Sequence, residues 1–379
     1  VIKPHMKLQT AQIQVPNGFI DLGRGDPAFN LLPLEMLHQA AHNRLRDSDN
    51  SFLQYGTEKG DGYFRVAFAN FLSKKYNFTV DIESLFITSG ISAGLDLLCT
   101  LFTKPDDTIF VEEPSYFLAL KIFADHGLKV ASIRTDEHGL VIDDLILKLK
   151  HTKPKFIYVI PTFQNPAGRT LSQERREQLV SLAKEHDFLI FADEVYQFLN
   201  YTQEPPNSLA SFNSEHVISL GSFSKILAPG LRLGWLQTHE VLMQKISSAG
   251  VLDSGGGMNP FTSTIVRHVI ESDNLEKNIQ VLKQTFTQRI KVMDGCLRKY
   301  IPSAEFSTPH GGYFFWVKIP NVDMAELREK AKTHQVGLRQ GLLFSSNDSL
   351  KDYMRLSISF YDESQIEEGI VRLKKCLDS

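Results

Sequence analysis

From about residue 62 to residue 237 the chain alternates short β-branched and aromatic runs with amphipathic stretches, the pattern of βαβ units that build a mostly parallel sheet. The apolar runs cover Ser84 to Thr88, Thr108 to Val111, Lys129 to Ile133, Lys155 to Ile160, Phe188 to Ala192, Val217 to Leu220 and Leu231 to Leu236. Near-continuous apolar runs suit strands covered on both faces. Between them, Asp61 is placed to cap a helix whose Phe64, Phe68, Phe71 and Leu72 form one stripe. Ser172 precedes another helix, which carries Leu179, Leu182 and Ala183. The expectation is an α/β fold with a mostly parallel seven-stranded sheet in a large domain.

After the turn-rich Asp253 to Pro260 the pattern changes to one long helical stretch, with Leu275, Ile279, Leu282, Phe286, Ile290, Met293 and Leu297 at helical spacing. Strand-like Gly312 to Ile319, a helix from about Met324, strand-like Arg355 to Phe360 and a last helix near Ser364 to Leu377 follow. This reads as a smaller α+β domain. The expected division is an N-terminal arm over 1–45 that completes part of the small domain, a large domain over 46–258, and a small domain over 259–379 that includes the long helix.

Composition narrows the class. The chain has 379 residues with 41 basic and 44 acidic side chains, a formal charge of −3, and no Lys/Arg block, so it lacks the electrostatic footprint of a nucleic-acid binder. No apolar run approaches the ~18 residues that span a bilayer, so no membrane association is expected. Cys99, Cys296 and Cys376 lie far apart, which excludes a disulfide framework and any CxxC pair. A reducing, cytoplasmic location is therefore expected. The opening Val1 to Val15 is polar and lacks the apolar core of a signal peptide. No H-E-x-x-H occurs, and His239 with Glu240 has no second histidine four residues on, so no metal site is expected.

Gly23, Gly25 and Ala28 fit the G-x-G-x-x-A spacing of a dinucleotide-binding turn. That turn works only inside a βαβ unit, with an acidic residue ending the second strand about 20 residues on. Here the helix-like Leu34 to Leu45 leads instead to Arg46, Asp47, Ser48, Asp49 and Asn50, and no nicotinamide or flavin site is expected.

A more specific signal runs from Ser222 and Ser224 through Lys225 to Arg232 and Trp235. Two hydroxyls, an amine and an arginine in a Gly/Pro-interrupted segment just after a strand offer an amine nucleophile beside an anion cradle; a solvated surface Lys and Arg are the alternative. Asp193 ends the run that begins at Phe188, and Tyr196 follows. A carboxylate ending a buried strand must be paired, and open α/β sheets bind ligands along that edge, so Asp193 is read as a ligand contact. The loop from Pro161 to Gly168 presents the Asn165 amide. The segment Thr88 to Gly94 opens a helix at Gly90, Ile91 and Ser92 whose free amides suit a phosphate.

Taken in order, Ser89 to Ser92, Asn165 to Gly168, Asp193 to Tyr196, Ser222 to Lys225 with Arg232, and Arg355 within Met354 to Ser357 resemble the class I/II aminotransferases of pyridoxal-phosphate fold type I, over about residues 20 to 375. Each motif alone is weak, and five in this order and spacing are specific. The branch it resembles is the 2-aminoadipate/kynurenine type. The resemblance implies a transaminase that moves an amino group between an L-amino acid and a 2-oxo acid, with pyridoxal 5'-phosphate as cofactor. It further implies that Lys225 carries the cofactor covalently and shuttles the proton between substrate and cofactor, while Asp193 keeps the pyridine nitrogen protonated. By the same resemblance Tyr196 and Asn165 hydrogen-bond the ring oxygen, and Ser222, Ser224, Arg232 and the turn at Gly90, Ile91 and Ser92 hold the phosphate. Tyr116 matches the aromatic that stacks on the ring, with an ordinary half-buried core tyrosine as the alternative. Arg355, with Asn165 and Gly25 beside it, matches the clamp on the substrate α-carboxylate. Tyr55 resembles a residue that reaches the neighbouring subunit's phosphate, and the Gly255 to Asn259 loop resembles another cross-subunit element. A homodimer with shared active sites follows from those two matches.

Two positions depart from the family pattern. Relatives often carry a small or hydroxyl residue and then Gln where this chain has Ile91 and Ser92, so any contact from Ile91 is through its backbone. Arg24 stands where an apolar or small residue is common. It offers a partner to a second substrate carboxylate, as in glutamate or aminoadipate; a salt bridge to Asp21 or Asp26 is the alternative. Phe19, Phe29, Leu31 and Leu32 leave an aromatic or branched-chain pocket open. A C–S β-lyase on the same scaffold shares Lys225, Asp193 and Arg355. A ligand-sensing effector domain, as in transcription regulators of the GntR type, needs a winged helix before it, and only about 20 unpatterned residues precede the first matched segment.

Overall fold

The computed structural model describes residues 9, 11–14 and 16–378. Residues 1–8, 10 and 15 of the expected N-terminal arm, with most of the opening segment read for a signal peptide, and residue 379 of the small domain lie outside the described residues. Strand β1 (Ile20–Asp21) and helix α1 (Leu34–Leu45) precede α2 (Gly62–Tyr76). As the sequence predicts, the Asp61 carboxylate caps α2 by accepting the Phe64 amide at 2.6 Å. The helix closes where Asn77 turns left-handed.

The strands that follow are β2 (Leu85–Thr88), β3 (Thr108–Glu113), β4 (Lys129–Asp136), β5 (Gly139–Leu140), β6 (Phe156–Val159), β7 (Leu189–Asp193), β8 (Val217–Ser222) and β9 (Gly234–Thr238). Among the described residues they form one sheet in the order β2-β9-β8-β7-β6-β3-β4-β5. All but β9 and β5 run in one sense, so the sheet is mostly parallel as expected. The eighth strand, the two-residue β5, turns back antiparallel on β4 at the sheet's edge and is too short to read from an apolar run. The expected strand from Leu231 begins only at Gly234. Pro229 to Leu231 make a tight helical turn and Arg232 adopts φ 46°, conformations that an extended strand excludes.

Helices α3 (Ile91–Phe102), α4 (Phe117–Asp125), α5 (Ile142–Leu149) and α6 (Gln173–His186) connect the parallel strands, with Ser172 capping α6 through the Arg175 amide. They cover both faces. Phe86, Ile109, Val111, Phe156, Tyr158 and Phe191 pack with Leu95 and Leu98 of α3 on one side. Phe110, Ile157, Val159 and Ile190 pack with Leu145 of α5 and Leu179 of α6 on the other. Successive residues of one strand therefore enter opposite cores, which accounts for strands without polar alternation.

Beyond β9 the chain forms α7 (Glu240–Ser247), α8 (Gly250–Gly255), α9 (Pro260–Glu271) and the long α10 (Asn274–Tyr300), whose apolar positions are buried as their spacing predicts. Then come β10 (Phe314–Lys318), α11 (Met324–Thr333), β11 (Val336–Gly337), β12 (Arg339–Gln340), β13 (Tyr353–Ser357) and α12 (Glu363–Asp378). β13 lies between β10 and β12 and is antiparallel to both, and β1 runs parallel to β11. The segment after β1 is tied to the same region, since the Ser357 amide donates to Leu22 O at 2.6 Å and the Ala28 amide to Ser359 O at 3.2 Å. Among the described residues no helix is long and apolar enough to cross a membrane.

Two features of this fold prepare the site. The Phe64, Phe68 and Phe71 stripe of α2 packs beneath Phe223 and Trp235, with the Phe68 and Trp235 rings 4.6 Å apart edge to face. Phe223 thus points into the core while Ser222 and Ser224 face the other way. The loop at Gly56 is bridged to Gly257, whose amide donates to Gly56 O at 2.9 Å. A Cβ on Gly257 would lie 1.7 Å from Thr57 O, so this approach requires glycine. Gly257→Ala is expected to cost roughly 1–3 kcal/mol or more in urea unfolding. Gly250→Ala, with open space around the added carbon, is expected to be near neutral. Equal stability of the two variants would contradict the close-approach account.

Candidate active site

The carboxyl ends of β2, β3, β6, β7 and β8 meet along one edge of the sheet, and each carries one of the polar residues singled out from the sequence. Asp193 ends β7 and is buried. Burial drives its carboxyl up to about 6, although the Tyr158 hydroxyl donates to it at 2.8 Å, the Val195 amide donates at 3.3 Å, and the Lys225 charge pulls the other way. Tyr158 lies on the neighbouring β6. In the sequence it is one residue of an apolar run, yet a tyrosine hydroxyl buried in such a run is itself a signal, because it needs a partner.

Behind Asp193 stands Glu112 on β3, a second buried carboxyl raised to about 8 by burial. It accepts from the Ile160 amide at 2.9 Å and from Gln164 Nε2 at 3.3 Å. Gln164 also donates to Pro114 O at 2.7 Å and accepts the Ala167 amide at 2.7 Å. These bonds fix the loop that presents Asn165.

The end of β8 leads directly into the lysine segment. The Ser222 hydroxyl donates to Ser224 Oγ at 2.9 Å, and Lys225 follows. Its amine lies half-buried in the site, 5.3 Å from the centre of the Tyr313 ring, and donates to Gly25 O at 2.8 Å. Burial lowers its pKa to about 8, with Asp26 and Asp193 raising it and Arg355 lowering it further. This rules out the solvated surface lysine. Asp193 and Lys225 are each shifted toward neutrality, the condition in which an amine can attack or carry a proton near neutral pH.

Beside them lies an anion cradle. Gly90, at φ 83°, is the N-cap of α3 and offers no side chain to the free amides of Ile91 and Ser92. Arg232 crosses this turn and donates to Ser89 O at 3.3 Å; a Cβ on Gly90 would lie 2.6 Å from its Nη2. Asn259 ties the cradle together within the same chain, donating to Arg232 O at 2.6 Å and Ser89 Oγ at 3.2 Å. The buried Thr88 hydroxyl beneath has no partner.

Arg355 enters from β13. It is buried, donates from Nη1 to Asn165 Oδ1 at 2.8 Å and from Nη2 to Gly23 O at 2.8 Å, and its Nε has no partner. The Phe314 and Phe344 rings lie 4.1 and 5.0 Å from its guanidinium carbon. Burial lowers its pKa to about 10, so it stays charged. Tyr196 is buried against Tyr313 and Phe314. Tyr116 caps α4 over the same edge, its hydroxyl raised to about 12 by burial.

Arg24 lies at the mouth of the site. It stands 3.8 Å from Asp26, donates to Gln14 O at 2.9 Å and rests over the Phe360 ring, while its Nε has no partner. Asp21 is held bidentately by Arg339 instead. The structure therefore brings Lys225, Asp193, Asn165, Tyr196, Tyr116, Arg355 and Gly25 to one place and Gly90, Ile91, Ser92, Ser222, Ser224 and Arg232 to an adjoining one. Tyr55 joins neither and is 83% exposed. Tyr158, Tyr313 and Phe344 join the site without being singled out by the sequence, and Asn259, in the loop that resembles a cross-subunit element, joins it through Arg232 and Ser89.

This donor set fits pyridoxal 5'-phosphate. An uncapped helix terminus, an arginine, two serines and an unpartnered threonine hydroxyl suit the phosphate, a buried carboxylate suits a protonated ring nitrogen, and an amine of lowered pKa suits an aldehyde. Among the described residues no His/Cys/Asp/Glu cluster is able to hold a metal ion.

Comparison with known proteins agrees. Residues 17–373 match the family described as aminotransferase class I and II. Aromatic-amino-acid aminotransferase 1 of Thermococcus litoralis is 34% identical over 366 residues, 94% of this chain and 88% of the relative. The crystal structure of a multiple substrate aminotransferase from Thermococcus profundus aligns with a TM-score of 0.89 at 33% identity, covering 96% of this chain and 92% of that one. That of Pyrococcus horikoshii kynurenine aminotransferase, in complex with PMP, aligns with a TM-score of 0.89 at 32% identity, over 95% and 91%.

The lowered pKa of Lys225 is directly testable. In cofactor-free protein, acylation of Lys225 followed by peptide mass spectrometry is expected to titrate near 8, well below the ordinary range of a lysine side chain. Titration of Lys225 together with the exposed lysines would contradict its burial.

Proposed function

The chain belongs to the aminotransferase class I and II family and is a pyridoxal 5'-phosphate-dependent transaminase; from that premise we propose how its residues divide the reaction and which substrates it takes. The observation that carries the reading is that Lys225 Nζ and Arg355 Nη2, 130 positions apart, each donate at 2.8 Å to carbonyls only two residues apart, Gly25 and Gly23. An amine and a guanidinium able to bind a carboxylate are thereby brought to the same short loop.

The bound cofactor supplies an aldehyde that takes up the amino group and an electron-withdrawing ring that stabilises negative charge at the substrate α-carbon. Lys225 would hold the cofactor, and its amine, with a pKa of about 8, is suited to hold or move a proton near neutral pH. Asp193, kept in place by the Tyr158 hydroxyl, would hold a proton on the ring nitrogen. Tyr196 and Asn165 would donate to the ring oxygen and Tyr116 would stack on the ring. Ser222, Ser224, Arg232 and the amides of Ile91 and Ser92 would hold the phosphate. Arg355, with Asn165, clamps the α-carboxylate, and its orphaned Nε supports that role.

The donor is proposed to be of the aromatic or 2-aminoadipate/glutamate type. Phe29 and Phe360, in edge contact at the mouth, suit an aromatic side chain. Arg24, buried along most of its length with its Nε unsatisfied, suits a second carboxylate at the expense of the long Asp26 contact. The relatives named for aromatic amino acids, kynurenine and multiple substrates support breadth. We place residues 46–258 as the cofactor domain and 259–379, with the 1–45 arm, as the smaller one. A homodimer is proposed because Leu53, Tyr55, Tyr63 and Phe261 leave exposed apolar surface around α2 and α9, where Tyr55 would reach the second copy's phosphate. Buried thiols at Cys99, Cys296 and Cys376 support a cytoplasmic location.

The test is a half-reaction screen in which purified holoenzyme, sedimenting at the mass of two chains, is mixed with single amino acids and the 2-oxo acid is read by mass spectrometry. Glutamate, aminoadipate and aromatic amino acids are expected to react, with no pyruvate or ammonia released without an acceptor; such release from cystathionine would point to a β-lyase instead. Arg24→Ala is expected to lower turnover with glutamate relative to phenylalanine by roughly tenfold, the size of one charge-assisted contact. An unchanged ratio would remove Arg24 from substrate recognition.

A further inference from the structure

Glu113, the last residue of β3, is clasped by a loop of the smaller sheet. Its carboxylate accepts from the Ser345 hydroxyl, from the Ser346 amide at 3.0 Å and hydroxyl at 2.9 Å, and from the Ser349 hydroxyl at 3.3 Å. Among the described residues no Lys, Arg or His comes within ion-pair distance of it. A carboxylate satisfied wholly by neutral donors is unusual, since a cation is the stronger partner. All four donors come from one short segment, which connects β12 to β13, and that segment has no sheet or helix ladder of its own from Ser345 to Ser349.

The consequence lies one residue earlier. Phe344 is fully buried, its carbonyl accepts the Ser115 amide at 2.8 Å, and its ring sits edge-on to Phe117 and Trp316 at 5.3 and 5.5 Å. The same ring lies 5.0 Å from the Arg355 guanidinium carbon, with Phe314 4.1 Å away. Two rings against a guanidinium hold its plane and keep water from it, and removing water strengthens its attraction for a carboxylate. The Glu113 clasp thus fixes the segment that delivers Phe344 to Arg355, and it does so from the strand end that also leads through Pro114 and Ser115 to Tyr116.

We propose that Glu113 is a positioning residue for substrate recognition: by clasping Ser345, Ser346 and Ser349 it seats Phe344 against Arg355 and sets the affinity of Arg355 for the substrate α-carboxylate. This rests on the assignment of Arg355 as the carboxylate clamp. The clasp contributes to binding and leaves the proton transfers at Lys225 to other groups, so its loss falls on KM.

The experiment compares holoenzyme with Glu113→Gln, Ser346→Ala, the double variant and Arg355→Lys. It reads steady-state kinetics with glutamate and phenylalanine as donors, and hydrogen–deuterium exchange of the cofactor-loaded protein without substrate. Glu113→Gln is expected to raise KM for both donors by roughly tenfold with kcat within about twofold, and to speed exchange in 341–350 while leaving β6 and β7 protected. Ser346→Ala is expected to act in the same direction with smaller size, and the double variant to show less than the product of the two effects. An unchanged KM in Glu113→Gln while Arg355→Lys raises it would overturn the proposal alone. So would a joint fall of kcat and protection across the sheet, which marks a merely structural residue. An unchanged KM in Arg355→Lys would instead overturn the carboxylate assignment, and this proposal with it. Should Glu113→Gln fail to fold, Ser346→Ala and Ser349→Ala make the same test from the other side of the clasp, and an unchanged KM in both would overturn it.

Discussion

Burying the Asp193 carboxylate at the carboxyl end of β7 sets what the surrounding chain must supply. An isolated ionised carboxylate away from water costs several kcal/mol, so it must be neutralised or given donors. The chain gives it the Tyr158 hydroxyl and the Val195 amide, and the pKa of about 6 that remains shows that these offset burial only in part. Because the charged form is still the penalised one, this group alone makes the cofactor-free fold lose stability as pH rises from the unfolded carboxyl range through about 6. Lys225 has the complementary problem. Its charged form is penalised below about 8, and that cost disappears as pH climbs past the range of an ordinary lysine. A cationic ring nitrogen beside Asp193 and an uncharged, covalently engaged Lys225 would relieve both. The bare site is destabilised by the groups that fit the cofactor.

The N-terminal loop answers to a different constraint. Gly23 and Gly25 have the spacing of a dinucleotide-binding turn, yet their smallness has another cause. A Cβ on Gly23 would lie 2.7 Å from Leu338 C, and one on Gly25 would lie 3.0 Å from the Phe314 ring. The loop is pressed against the β10-β13-β12 sheet so that its carbonyls reach Arg355 and Lys225, and Ser359 holds it there through Arg24 O and Asp26 O. Those carbonyls satisfy the Lys225 amine and the Arg355 guanidinium. Glycine here serves close packing of backbone on side chain rather than phosphate recognition.

Much of this was legible in the sequence because the signals are local. The parallel strands, the Asp61 and Ser172 caps, and the polar residues at strand ends depend on neighbours a few positions away, and the family resemblance implies roles for those polar residues. What escaped depends on contacts across the fold. Tyr158 looks like any strand aromatic until β7 places Asp193 beside it. Phe344 and Tyr313 become site residues only when the β10-β13-β12 sheet meets the large one. The loop that ends at Asn259 resembles a cross-subunit element, and the tie its side chain makes between Arg232 and Ser89 within one chain depends on contacts that the sequence does not report. The late start of β9 followed from a left-handed Arg232, which no apolar pattern reports.

The central claim, that the sheet edge delivers Lys225 as the covalent anchor of the cofactor beside Asp193, is tested most directly by trapping. Holoenzyme reduced with borohydride and digested with a protease is analysed by peptide mass spectrometry. The account predicts a single phosphopyridoxyl adduct, on the peptide that carries Lys225, and none in Lys225→Ala. An adduct on another lysine, or one retained in Lys225→Ala, would contradict it.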